Sequence, residues 1–211
     1  MPAAIRLFGG KSLRCSAAGF WAPPAAIDCV TRLSVPSSEE IGPSGATNHS
    51  AAVEFGRSVT IADRPDLAPV VADWIWHEWD KRYGHALSHT LDGIRESTSR
   101  RGPQQTFVLL VNGTPIGTSS LVAHDLDERP RLSPWLAAVF VAPEWRRRGH
   151  VIPLIQAVEA ATIAASVPTL WLHTEHAKRI YAKAGWQELE VVERKGRAPV
   201  TLMRRDFILG M

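Results

Sequence analysis

The order of apolar and polar positions changes character near residue 57. Residues 1–56 hold no sustained period of two or 3.6 and are broken by Gly9-Gly10, Pro23-Pro24, Pro36-Ser37-Ser38 and Gly42-Pro43-Ser44-Gly45, which predicts a poorly ordered extension. The pattern tightens at Val59-Thr60-Ile61, a short strand. Asp63-Arg64-Pro65-Asp66 then supplies a cap with proline in the first turn. Leu67, Val70, Val71, Trp74 and Ile75 recur at helical spacing up to a stop near Gly84, while Asp73, His77 and Asp80 fall on other faces. A second, weaker helix is expected between Ser88 and Ser99, with Leu91 and Ile94 inward.

Residues 106–111 and 116–122 are strand-like runs around Asn112-Gly113, a dipeptide that favours a tight antiparallel hairpin. Residues 134–141 form a nearly continuous apolar run bounded by Pro143, as expected of a strand covered on both faces and central in its sheet. Val151, Leu154, Ile155, Val158, Ala161 and Ala165 mark an amphipathic helix, and Thr169-Leu170-Trp171-Leu172 a further buried strand, which completes a β-α-β crossover. A short helix at 177–184 stops at Gly185, and strands at 186–192 and 200–203 pair around Lys195-Gly196. The expected order is β-α-α-β-β-β-α-β-α-β-β, an α/β (α+β) domain over 57–206, with 207–211 as a tail.

Composition narrows the function classes. No run approaches the roughly 18 apolar residues of a membrane span. Among 211 residues the only cysteines are Cys15 and Cys29, which leaves the body without a disulfide framework or thiolate metal site and fits a cytoplasmic setting. His85 and His89 stand four apart without a third ligand, so no metal is expected. The net charge of +3 suits an anionic small ligand, and three arginines in one turn give no extended basic face, so no nucleic-acid partner is expected. Arg6, Lys11 and Arg14, without an acid up to Ile27, leave a targeting peptide or a dispensable extension open, although no apolar region of secretory length follows. Gly10-Lys11-Ser12 lacks the upstream glycine and strand of a phosphate-binding loop.

Two segments carry the chemistry. In the first, Val139-Phe140-Val141-Ala142-Pro143-Glu144-Trp145-Arg146-Arg147-Arg148-Gly149-His150-Val151, a buried strand enters a basic turn whose glycine opens a helix. The first-turn N–H groups are free there and the helix dipole is positive, which makes an anion cradle to which Arg146, Arg147 and Arg148 add charge. The second runs from Leu170 through His173-Thr174-Glu175-His176 to Tyr181-Ala182-Lys183-Ala184-Gly185-Trp186.

With these segments in this order, one helix and one strand between them, the sequence resembles the GNAT family of acyl-CoA-dependent N-acyltransferases over roughly Ser58 to Asp206. The family's signature of Arg or Gln, two residues, Gly, one residue, then Gly or Ala matches at Arg146 and Gly149 and departs at Val151, whose branched side chain would crowd a pyrophosphate. Thr174 stands where many members have Asn. Ser119 to Asp125, followed by Trp135-Leu136-Ala137, looks like a bacterial subgroup whose acceptors are often unknown.

The resemblance implies a mixed, mostly antiparallel twisted sheet, which the pattern fills with seven strands and four helices. It also implies acetyl-CoA as donor, held by Phe140, Val141, Arg146 to Arg148, Gly149, His150, Val151 and Thr174, with Tyr181 protonating the departing thiolate. The acceptor is an amine of a small molecule, peptide or protein, and the chain a monomer or homodimer. The alternative is a non-catalytic acyl-CoA-binding module. For the base that takes the amine's proton, His124 and Asp125 are the first candidates and His173 and Glu175 the next. Trp76, His77, Trp79 and Tyr83 lie on or after the first helix and are candidates to line the acceptor site.

Overall fold

The seven predicted strands and four helices all form, in the predicted order. The computed structural model describes residues 56–209. The extension before residue 56, with its basic leader, Gly10-Lys11-Ser12 and both cysteines, lies outside the described residues, as do residues 210 and 211.

The strands are β1 (Arg57–Thr60), β2 (Gln105–Val111), β3 (Thr114–Val122), β4 (Trp135–Val141), β5 (Thr169–Thr174), β6 (Gln187–Arg194) and β7 (Arg197–Asp206). The helices are α1 (Ala68–Ile75), α2 (Leu87–Glu96), α3 (Val151–Ala164) and α4 (Lys178–Lys183). One sheet runs β1-β2-β3-β4-β5-β7-β6, so the continuous apolar run of β4 is its central strand. Only β4 and β5 are parallel, as a crossover through α3 requires, and all other neighbours are antiparallel.

Two apolar layers sandwich the sheet. Leu67, Val71 and Ile75 of the α1 segment and Ile94 of α2 pack on Val108 and Leu110 of β2. On the opposite face Ile155 and Val158 of α3 pack with Leu121, Leu136, Leu170, Leu172, Tyr181 and Trp186. Each of these buried aliphatic side chains contributes roughly 1.5–3 kcal/mol, so the layers hold the strands that frame the site. Gly117 of β3 permits a close approach of β4 and α3. A Cβ there would lie 2.5 Å from the Phe140 carbonyl oxygen and 3.0 Å from the Leu154 side chain.

Three details differ from the sequence pattern. The first helix does not run evenly to Gly84: after α1 a π-helical stretch, Trp76–Asp80, and a 3-10 turn, Lys81–Tyr83, carry the chain to Gly84 at φ 78°. The wider π turn shifts the later side chains around the axis, so Asp80, off the apolar face in the even pattern, is buried and accepts a hydrogen bond from Thr90 Oγ1 at 2.6 Å. The strand β4 carries a bulge at Ala138 and Val139. Phe207, the first residue of the expected tail, packs on the core, and its N–H donates to the Pro168 carbonyl at 2.8 Å.

Candidate active site

The site begins where the sheet opens. Strands β4 and β5 pair only at Trp135 and Trp171, with the Trp171 N–H donating to the Pro134 carbonyl at 3.0 Å. Beyond that point the two strands share no ladder. Against β3, Thr118 pairs with Phe140 and Ser120 with Ala137, so Ser119 alone faces Ala138 and Val139. Ala138 takes φ 50° to make this bulge. The extra residue breaks the alternation: Ala137 and Ala138 both turn to the α1 face, and Val139 turns to the α3 face. Phe140 returns to the α1 face, its ring centroid 5.4 Å from that of Trp74.

On the α3 side a cavity of about 360 Å³ is lined by Val139, Val141, Trp145, Arg146, Arg147, Gly149, His150, Val151, Ala177, Ile180 and Tyr181. Its floor is the turn from β4 into α3. Arg147 takes φ 63° and Gly149 φ 82°, and a Cβ at 149 would meet nothing within 4 Å, so glycine serves the backbone conformation and leaves open space above it. Among the described residues no acceptor takes the N–H groups of Arg147, Arg148, Gly149, His150 or Val151. Five unbonded donors at a helix start make an anion cradle that fits a pyrophosphate.

Arg146 serves this turn differently from the expected charge contact. Its Nε donates to the Val141 carbonyl at 2.8 Å, and the guanidinium lies 5.5 Å from the Phe140 ring centroid and 3.7 Å from a Glu78 oxygen. The side chain therefore ties the end of β4 to the turn. Arg148 leans on the Trp145 ring and does not line the cavity. Thr174 accepts the Ala177 N–H at 3.0 Å, which caps the approach to α4. The side chain of Val151 stands in the cavity wall, as its place in the motif implies.

A second, smaller cavity of about 110 Å³ reaches through the opening toward α1 and is lined by Trp79, Asp125, Leu136, Ala137, Ala138, Val139, His173 and Tyr181. The two cavities share Val139 and Tyr181. In the smaller one His173 Nε2 lies 3.0 Å from an Asp125 carboxylate oxygen, with 17% and 10% of these side chains exposed. Burial pushes the His173 imidazole down, but the charge and hydrogen bond of Asp125 outweigh it and Arg194, and hold it above the ordinary histidine value. Tyr181 is pushed up to about 12, by burial first and by Asp125 second. Its hydroxyl makes no hydrogen bond among the described residues and is free to donate to a bound group.

The remaining candidates lie elsewhere. His124 is exposed and lines neither cavity. Glu175 accepts a hydrogen bond from the buried Arg194 at 2.6 Å. Trp76 donates from its indole to the His85 carbonyl at 2.7 Å, His77 is exposed against Asp73, and the Tyr83 ring lies 4.6 Å from the Arg197 guanidinium. None of these three lines either cavity. Sequence reasoning missed Leu136, Ala137, Ala138, Trp145, Ala177 and Ile180 as lining residues. The bulge has no sequence signature here, since Ala138 takes a positive φ without being glycine, whereas the helical spacing of Ala177, Ile180 and Tyr181 could have found the last two. Among the described residues no three His, Cys, Asp or Glu side chains gather as a metal site, and no helix is long and apolar enough to cross a membrane.

Residues 102–188 match the acetyltransferase (GNAT) domain model. No curated protein matches the chain significantly. Solved structures share the fold. An aminoglycoside 6'-N-acetyltransferase complexed with coenzyme A has a TM-score of 0.56 at 14% identity, over 69% of this chain and 93% of its own. Ard1 from Thermoplasma volcanium has a TM-score of 0.54 at 16% identity, over 73% of this chain and 99% of its own. The yncA protein from Salmonella typhimurium, solved with its cofactor acetyl-CoA, has a TM-score of 0.54 at 16% identity, over 72% and 93%. At such identities the structural likeness is one of fold, and residues 102–188 carry the similarity to the acetyltransferase (GNAT) domain.

Proposed function

We propose that the protein transfers an acetyl group directly from acetyl-CoA to a primary amine. The observation that carries the reading is the wall of Val139 and Tyr181 shared by two cavities on opposite sides of the β4–β5 opening. Direct transfer needs two substrates to meet at one point, and this wall provides it. The larger cavity fits acetyl-CoA: the free N–H groups from Arg147 to Val151 match a pyrophosphate, and the unpaired edge of β4 beyond Trp135 matches an amide-bearing arm. The yncA structure holds acetyl-CoA and the aminoglycoside enzyme coenzyme A on the same fold.

Bound acetyl-CoA would supply the thioester carbonyl that a neutral amine attacks, with the thiolate as leaving group. His173 takes the first proton from the arriving ammonium and Asp125 holds the resulting imidazolium. Beyond Trp135 the edge of β4 toward β5 is unpaired, and the Val141 N–H, on the side away from β3, would be the donor to the developing oxyanion. Tyr181 donates to the thiolate. A phenol near 12 yields its proton to an ordinary thiolate of about 8.5 only uphill, so transfer depends on the same dry wall raising the thiolate as well. The attacking nitrogen's second proton restores the Tyr181 hydroxyl, so the products are an amide, the free thiol and one proton passed to solvent through His173.

The test is thiol release from acetyl-CoA by the full chain across a panel of primary amines, with acetyl-CoA binding measured by calorimetry alongside. Amine-dependent release supports the reading. Binding without release for any amine would make the chain an acyl-CoA-binding module, the outcome toward which Val151 in the cavity wall leans.

A further inference from the structure

The dimensions and lining of the smaller cavity restrict the amine. For direct transfer the nitrogen must reach Val139 and Tyr181 from the side that the thioester leaves free, which is this cavity of about 110 Å³. A cavity of this volume is well below the roughly 300 Å³ at which pockets for drug-sized ligands begin, so it suits a slim group and not a bulky one. A short unbranched stem ending in an amine is such a group. A sugar ring, or an α-carbon bearing both a peptide and a side chain, exceeds it, since pockets for such bodies begin at about 300 Å³.

The lining agrees with the size. Ala137 and Ala138, brought to one face by the bulge, lie with Leu136 and the Trp79 ring along the apolar walls, which suit methylenes and offer no partner to hydroxyl groups. Asp125 and His173 supply a buried anionic pair for an ammonium, and the Trp79 ring an aromatic wall beside it.

We propose that the acceptor amine sits at the end of an unbranched aliphatic stem, an aminopropyl or aminobutyl group, that enters beside Trp79. This rests on the acetyl-transfer reading and names its substrate class. A small diamine and a lysine side chain present the same stem.

The experiment compares kcat/KM for thiol release by the full chain with 1,4-diaminobutane, Nα-acetyl-lysine amide, 2-aminobutane, alanine amide and cyclohexylamine. At least one stem amine should exceed the branched and ring amines by about tenfold or more, the discrimination a methylene-sized difference gives in an apolar pocket. The ratio between the diamine and the lysine derivative then identifies the source. Ala138→Gly, which suits φ 50° and removes a wall methyl, should shift preference several-fold toward 2-aminobutane. Branched or ring amines used as well as stem amines would overturn this inference and leave acetyl transfer standing. Acetyl-CoA binding without release for any amine would overturn both.

Discussion

The two cavities on either side of Val139 and Tyr181 are built in opposite ways. The larger is backbone architecture: a turn with positive φ at Arg147 and Gly149, five unbonded N–H groups and an unpaired strand edge, all within one short stretch of chain. The smaller is side-chain architecture gathered from far apart, with Trp79 from the π-helical stretch, Asp125 from the loop after β3, Ala138 from the bulge and His173 from the end of β5. A donor common to a whole family can be held by backbone, which tolerates sequence change. An acceptor peculiar to one protein needs side chains, which do not.

Substitutions on each side separate what the two cavities do. The largest effect is expected at the shared wall: Tyr181→Phe should lower turnover by about 100-fold or more while acetyl-CoA affinity stays within about twofold, read by thiol release against calorimetry. Equal turnover would remove Tyr181 from the chemistry.

On the acceptor side, Asp125→Asn should lower kcat/KM at neutral pH by roughly 10- to 100-fold. The base must be neutral to act, so wild-type kcat/KM should rise with pH through an inflection above 6.5, because His173 is held above that value. In Asp125→Asn the burial and Arg194 that press His173 down lose their opposition, and the inflection should move below 6.5. A pH profile identical in both proteins would show that His173 is not the base.

On the donor side the effects should fall on affinity. Gly149→Ala places a Cβ in open space but at φ 82°, a conformation that costs about 1–2 kcal/mol, so acetyl-CoA should bind roughly tenfold more weakly with kcat little changed. Val151→Ala removes the branched group from the cavity wall and should tighten binding by about two- to fivefold, a partial return to the family motif. The smallest effect is expected at His124, exposed and outside both cavities, where alanine should leave kcat/KM within about twofold.

The same contrast decides what was legible in the sequence. The strands, the helices and the loop from Arg146 to Val151 follow from local periods of two and 3.6 and from glycines at turns, so the architecture and the donor side read directly. The π-helical stretch does not: its residues fit an even helix, the pattern offers Trp76, His77, Trp79 and Tyr83 alike, and only the packed structure separates Trp79 from the other three and shows Asp80 buried. Nor does the bulge, since Ala138 takes a conformation that alanine rarely adopts and that its neighbours impose. The sequence offers Asp125 and His173 separately as possible bases, but their pairing is a tertiary contact that no spacing reveals, and the same contact distinguishes His173 from the exposed His124.

The meeting of both substrates at Val139 and Tyr181 underlies every step of the proposed transfer. It is tested most directly by the affinity of a conjugate in which coenzyme A is joined through a two-carbon acyl bridge to one nitrogen of 1,4-diaminobutane. If the cavities connect as described, the conjugate should bind the full chain at least about 100-fold more tightly than coenzyme A alone, because its second half binds at high effective concentration. A conjugate that binds no more tightly than coenzyme A would contradict the account.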